Sequence, residues 1–169
     1  MKKILFLLLL LGCVGIAGAQ RYAIVDSKYI LERMTDYKQA QLKLDQFSEQ
    51  WQKEIDSKQA NLDKMYKEYE AEQVMLSDEL KKKREDQLYN LEKELRDLLR
   101  KRFGFEGDLF KKRQELIKPV QDKVYNAIQK IAVQRSYDFI LDKSEGITVI
   151  FADPKLDKSE DVLRELGVK

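Results

Sequence analysis

Three runs of basic side chains are the groups in this sequence that could bind an anionic partner. They are Lys81-Lys82-Lys83-Arg84, Arg100-Lys101-Arg102 and Lys111-Lys112-Arg113. Clustered ammonium and guanidinium groups attract anionic lipid headgroups and acidic segments of other polypeptides. Runs of this kind also form the solvated flank of a charged helix, and both interpretations stay open at this point.

The residue types give little support to catalysis. The chain has no histidine, and its one cysteine, Cys13, lies close to the start of the sequence. Acid and base roles would therefore fall to carboxylates, lysines or tyrosines, and the acids are spread along charged stretches with no pattern that would enclose them. There is no glycine-rich phosphate loop and no metal-ligand spacing. We predict a protein that is not an enzyme and that needs no cofactor or metal.

Residues 1–19 have the order of a secretory signal peptide. Lys2 and Lys3 precede an apolar run, and the small residues Ala17-Gly18-Ala19 follow it. The run is shorter than the roughly 20 residues that a bilayer requires. We predict cleavage after Ala19 and a mature chain outside the cytoplasm, with lipidation at Cys13 as the less favoured alternative.

Cleavage would leave a chain without net charge. The full sequence has 32 basic and 30 acidic residues, and loss of Lys2 and Lys3 leaves 30 of each. Proteins that bind nucleic acid normally carry a basic domain. We therefore expect no nucleic-acid partner.

A long stretch, residues 36–135, must position the basic runs, and its pattern predicts two helices folded into a hairpin. Neither glycine nor proline occurs between Gln20 and Phe103. Apolar residues recur there at spacings of three and four and form one stripe on one helix face. The first half of the stripe comprises Tyr37, Ala40, Leu44, Phe47, Trp51, Ile55, Leu62, Met65 and Tyr69. We place the hairpin tip near residues 74–79, where the stripe loses phase and Ser77 can cap the second helix.

Gly104, Gly107 and Pro119 interrupt the second helix of the hairpin. Each glycine costs about 1 kcal/mol relative to alanine, and a proline inside a helix removes a hydrogen bond and bends the axis. We predict a kinked, bendable arm, with a short non-helical break at Gly104–Gly107 as the alternative.

Large apolar side chains of the arms fall into two groups, because two helices need only one shared seam. Those off the seam would present isolated apolar spots suited to weak, sequence-tolerant contacts. The candidates for either group are Phe47, Trp51, Tyr66, Tyr69, Met75, Tyr89, Phe103, Phe105 and Phe110.

Short runs rich in β-forming residues predict three strands near the ends of the mature chain. Their central residues are Tyr22, Ile24 and Val25, then Phe139, Ile140 and Leu141, then Val149, Ile150 and Phe151. The last two runs read as a β-hairpin with Gly146 in the turn. Residues 20–35 and 136–169 would thus form a small three-stranded body. Such a body is too small to be stable alone, so we expect it to oligomerise.

The elements of the chain follow one another in a recognisable order. They are the signal peptide, the strand at 21–26, the charged hairpin with its segment 107–124, and the strand at 137–142. This order resembles the Skp/OmpH family of periplasmic chaperones over essentially the whole mature chain. The resemblance implies a predominantly helical α+β fold in which an antiparallel coiled-coil hairpin projects from a three-stranded β body and three chains form a homotrimer. It also implies an ATP-independent holdase in the periplasm that shelters unfolded outer-membrane proteins between its helical arms.

The chain differs from the best-known members of that family in charge, since they are strongly basic and this mature chain is neutral. The difference bears on peripheral contact with an anionic membrane or lipopolysaccharide, which the basic runs would make. The alternative function that the same helical pattern permits is a structural coiled coil of the envelope, which would tether other components and have no chaperone activity.

Overall fold

A computed structural model describes residues 20–144 and 149–168; the predicted signal peptide lies outside these ranges. The elements in chain order are β1 (Tyr22–Val25), α1 (Ser27–Arg33), α2 (Thr35–Glu72), α3 (Asp78–Phe103), α4 (Asp108–Leu116), α5 (Lys118–Gln134), β2 (Phe139–Asp142), a 3-10 helix (Pro154–Leu156) and α6 (Ser159–Glu165). The described residues form two compact units. We call residues 31–123 the hairpin unit, and residues 20–30 with 124–168 the β unit.

The hairpin unit is built on the predicted apolar stripe. Ile55 and Leu62 of α2 are buried against Leu88 and Leu95 of α3. Every member of the stripe is buried or half-buried, so the predicted seam of α2 is confirmed. Most side chains that face away from the seam are charged or amide groups in water, which is the pattern that a pair of helices sharing one face requires.

Residues 73–77 connect α2 to α3 without any glycine or proline. The Ser77 hydroxyl accepts a hydrogen bond from the Leu80 N–H at 3.4 Å, which confirms the predicted cap. The Tyr69 hydroxyl donates to Glu85 at 2.6 Å and so links the two helices next to the turn. The hydrogen bond to Glu85, together with some burial and the negative charge, raises the pKa of Tyr69.

Pro119 does not lie inside a continuous helix. Helix α4 ends at Leu116, and α5 begins at Lys118, so Pro119 lies in the first turn of α5. The first N–H groups of a helix have no intrahelical partner, so proline loses nothing at this point. The N–H of Gln121 donates to the Ile117 carbonyl at 3.1 Å and keeps the chain helical across the junction.

The β unit surrounds a two-stranded parallel sheet. Strand β1 pairs with β2 so that Tyr22 lies opposite Phe139, and their rings stack at 5.6 Å. The rest of β1 is buried on both faces, as expected for a parallel strand covered by helices. The buried apolar side chains of this unit outside β1 are Ile30, Val124, Ala127, Ile131, Val162 and Leu163.

The prediction of a third strand has to be corrected. In the described part of the chain, residues 149–152 form no strand, and residues 147 and 148 lie outside it. Ile24 pairs with Leu141 on one side and forms an isolated bridge with Asp157 on the other. The Lys158 N–H also donates to the Ile24 carbonyl at 2.8 Å. The segment that leads into α6 therefore occupies the second edge of β1.

Three aspartates hold the loops of the β unit together. Burial alone would raise the pKa of Asp157, but hydrogen bonds from Lys143 and Ser159 outweigh burial and hold this pKa below its ordinary value of 3.8. The pKa of Asp142 is lowered in the same way by Ser27 and Ser144 despite its burial. The pKa of Asp161 is also lowered despite its burial, by hydrogen bonds from Arg135 and Arg164.

These shifts predict an acid-sensitive β unit. A carboxylate with a depressed pKa contributes stability above its unfolded pKa of about 3.9, and loses it as the pH falls through the folded value. We expect the melting temperature to be constant between about pH 8 and pH 5 and to fall below about pH 4. Asp157→Asn should lower it by a few degrees at pH 7 and by less at pH 3, measured by circular dichroism.

The exposed Asp45 on α2 provides the matched control. Its carboxylate only accepts a hydrogen bond from Gln41 on the same helix face. Asp45→Asn should leave the melting curve close to that of the unchanged protein at both pH values. An equal effect of the two substitutions at pH 7 would contradict the role assigned to Asp157.

Candidate contact surface on the helical hairpin

A non-helical break divides the second arm of the hairpin, which is the alternative that the sequence left open. We use the term break for residues 104–107, between α3 and α4. A Cβ atom on Gly104 would overlap the Arg100 carbonyl oxygen, and one on Gly107 would lie 2.8 Å from the Lys101 carbonyl oxygen. Glu106 has a φ of 53°, a left-handed conformation that costs a non-glycine residue about 1–2 kcal/mol. The two glycines are therefore required by close packing of the backbone.

Arg102, near the end of α3, links this break to α2. Its guanidinium donates to Asp108 at 2.7 Å and to Glu54 at 3.1 Å, and it lies 5.1 Å from the centre of the Trp51 ring. The hydrogen bond to Asp108, opposed by burial and assisted by Glu54, raises the pKa of Arg102. Only 21% of the side chain is exposed, and Nε is buried without a hydrogen-bond partner among the described residues. We call these four residues the Arg102 cluster.

The break also shifts the pairing of the two arms. Glu54 of α2 pairs with Arg102 of α3. In an antiparallel pair of uninterrupted helices, Asp36, eighteen residues before Glu54, would lie opposite residue 120, eighteen residues after Arg102. Asp36 instead forms its ion pair with Lys123, at 2.6 Å. The difference of three residues is close to one helical turn. The break therefore absorbs about one turn of sequence and lets α4 pack against α2 in a register of its own.

The structure separates the predicted basic residues by their surroundings. Arg102 is held internally and is removed from the set of candidate surface contacts. Lys112 pairs with Glu115 at 2.7 Å and lies over the Phe47 ring, while Arg84 is 3.7 Å from Glu72. Lys81 is half-buried. The predicted basic residues that remain exposed are Lys82, Lys83, Arg100, Lys101, Lys111 and Arg113.

The fold does not gather the basic runs into one patch. Lys82 and Lys83 lie in the second turn of α3, whereas Arg100 and Lys101 lie in its last turn. Seventeen residues of helix separate Lys83 from Arg100, which is about 25 Å along the axis. Basic side chains at the carboxyl end of a helix also stabilise that end through the helix dipole. The arm thus offers separate basic spots along its length.

The apolar candidates divide into an inner and an outer group. The inner group is buried or half-buried; the Trp51 ring contacts Phe47 at 5.7 Å and meets Phe103 edge-on at 6.5 Å, while Tyr69 packs against the seam. The members of the inner group are Phe47, Trp51, Tyr69 and Phe103. The members of the outer group are Tyr66, Met75, Tyr89, Phe105 and Phe110, all exposed. Apart from Met75, which lies beside the exposed Val74 at the turn, these side chains are scattered singly along the arms.

The sequence analysis missed some residues of this surface. Leu42 is exposed beside Tyr37, and Val74 is exposed at the turn. Leu42 does not follow the spacing of three and four that links Ala40 to Leu44, and this mismatch was the available signal. Glu54 lies four residues before Lys58, a spacing that suggests a pair within α2, and only the folded register brings it to Arg102. No helix of the described ranges is long and apolar enough to cross a membrane.

The comparison with protein families matches this arrangement. The profile of the family described as outer membrane protein (OmpH-like) matches residues 21–166. The chain belongs to the OmpH-like family. The match spans both units, so the β strands and the helical hairpin are both part of what the OmpH-like chains share. No match was found among curated protein sequences.

A solved structure has the same fold. It is the 2.83 Å crystal structure of a proposed outer membrane chaperone (OmpH-like) from Caulobacter crescentus CB15. The two chains align with a TM-score of 0.69 and 16% sequence identity over 88% of this chain and 85% of the other. At this identity the similarity establishes the fold alone.

The Arg102 cluster predicts a large effect of one arginine on stability. Arg102→Met removes two ion pairs and leaves two partly buried carboxylates without their partner, so we expect a loss of about 1–3 kcal/mol in the free energy of unfolding. Urea denaturation followed by Trp51 fluorescence measures it.

Arg96 gives the control, because its ion pair with Glu92 is formed within α3 and is exposed. Arg96→Met should change the free energy of unfolding by less than about 0.5 kcal/mol. Equal losses in the two variants would show that Arg102 is an ordinary surface residue.

Proposed function

We propose that this protein is an ATP-independent holdase chaperone of the periplasm that binds unfolded outer-membrane proteins. Its membership of the OmpH-like family carries the proposal. The hairpin surface supports it, because apolar side chains presented singly between charges suit many weak contacts with a flexible chain. The proposed activity needs neither catalysis nor a cofactor.

The proposed mechanism is enclosure by several arms. Each exposed apolar side chain would contribute about 1 kcal/mol or less, so that no single contact holds the client in place. Linking many such contacts on several arms raises the effective concentration and hence the overall affinity. The separate basic spots add long-range attraction to acidic segments or to an anionic membrane or lipopolysaccharide. A client held in this way can leave when a stronger acceptor is present.

We propose that the working form is a homotrimer joined through the β unit. Ile150 and Phe151 are 95% and 84% exposed, and the stacked pair Tyr22 and Phe139 is also open to water. Apolar side chains at this density on a small body favour association. The free edge of β2 could accept a strand from a neighbouring chain, and the segment that begins at Val149 has no strand partner of its own in the described residues.

Suppression of aggregation tests the proposed function. The mature protein is mixed with a bacterial outer-membrane β-barrel protein diluted out of urea, and light scattering is followed. We expect scattering to fall to near zero at a small molar excess of the assembly, without ATP. A structural tether of the envelope would leave the scattering unchanged, and that result would overturn the proposal.

Sedimentation tests the assembly separately. Three chains of 20.0 kDa give a mass of about 60 kDa before processing. We expect the mass of three processed chains for the unchanged protein and a smaller mass for Phe151→Glu, because a buried charge is costly at an apolar interface. A monomer of the unchanged protein at micromolar concentration would count against the trimer.

A further inference from the structure

Phe105 is the most exposed aromatic side chain of the hairpin unit among the described residues. It is 96% exposed, compared with 40% for Leu99 on α3 and 46% for Phe110 on α4. On a helix, neighbouring side chains cover part of every large residue, and this explains the lower values on either side. Phe105 lies in the break, where no helical neighbour covers it.

The exposure of Phe105 is built into the backbone. The break depends on two glycines that leave no room for a Cβ atom, and on Glu106 in a left-handed conformation. The Arg102 cluster joins α2 to both helices that flank the break. Phe103 packs inward on Trp51, while Phe105, two residues later, points into water. A sequence that only had to end one helix and begin another would not need a phenylalanine here.

We infer that the break presents Phe105 as a contact for extended apolar segments of an unfolded polypeptide. A single phenyl ring offers far less than the roughly 1,000 Å² that a specific interface between folded proteins buries. It can, however, insert between the side chains of a chain that has no fixed structure. Lys101 and Lys111 on the flanking helices are exposed and keep the surrounding surface hydrated. A second copy of this chain is the other occupant that the experiment must distinguish.

This inference rests on the proposed chaperone function, so one experiment tests the function and the role of Phe105 together. The probe is a urea-unfolded outer-membrane β-barrel protein, and the readout is the concentration of chaperone that halves its light scattering. We expect Phe105→Ser to raise this concentration about threefold to fivefold, since it removes the apolar contact of one aromatic ring. Tyr125→Ser, on an exposed tyrosine of α5 that is not part of the outer group, is the matched control and should raise it less than twofold.

Photo-crosslinking identifies the occupant directly. We replace Phe105 or Tyr125 by p-benzoylphenylalanine in the full chain and irradiate it with and without the unfolded client. We expect crosslinks from position 105 to the client, at several times the yield from position 125. Crosslinks from position 105 mainly to another copy of the chain would overturn the inference, and so would equal yields at the two positions.

The outcomes separate the two proposals. If the unchanged protein suppresses aggregation but Phe105→Ser stays within twofold of it, the role of Phe105 is wrong and the chaperone function stands. If the unchanged protein fails to suppress aggregation, the proposed function itself fails. Because Phe105 contacts little else, its variants should keep the melting temperature of the unchanged protein, and circular dichroism checks this in every sample.

Discussion

The hairpin unit depends on one constraint: a helix with a single apolar stripe cannot bury that stripe by itself. The 38 residues of α2 contain five buried side chains, and all of them belong to the stripe. The hydrophobic gain of burying these side chains is available only when a second helix lies along the first. The antiparallel pairing, the connecting turn and the ion pairs between the arms all follow from this requirement. What remains outside the seam is free to be charged and to interact with something else.

The break changes what that outer surface can do. An uninterrupted second arm would have kept one register with α2 and shown only helical faces to the solvent. The two glycines and the left-handed Glu106 instead create an irregular segment, which the Arg102 cluster fixes by charge and by contact with the Trp51 ring. An arginine is suited to this role because its planar guanidinium can bond two carboxylates and pack on an aromatic face at once. Arginine is usually a surface residue, but Arg102 has a structural role in this hairpin.

The β unit follows a different principle. Its sheet has two strands, and its loops are held by aspartates that accept several hydrogen bonds each. Asp142 accepts from the backbone of Ser27 and of Ser144, and so joins the start of α1 to the end of β2. Polar bonds of this kind fix the loops of a body whose apolar core is small. They leave apolar side chains such as Ile150 and Phe151 on the outside, where an assembly could use them.

The sequence alone determined the type and approximate limits of most elements. Spacings of three and four gave the seam of α2, the absence of glycine and proline gave the length of the helices, and β-forming runs gave β1 and β2. These signals are local, because they depend on residues a few positions apart. Tertiary structure decided the rest. Arg102 and Glu54 are 48 residues apart, so only the folded register could show that this arginine is internal. The path of the chain likewise places Asp157 at the second edge of β1. Strand propensity indicates which residues can pair, but it does not indicate which edge of a strand is already occupied.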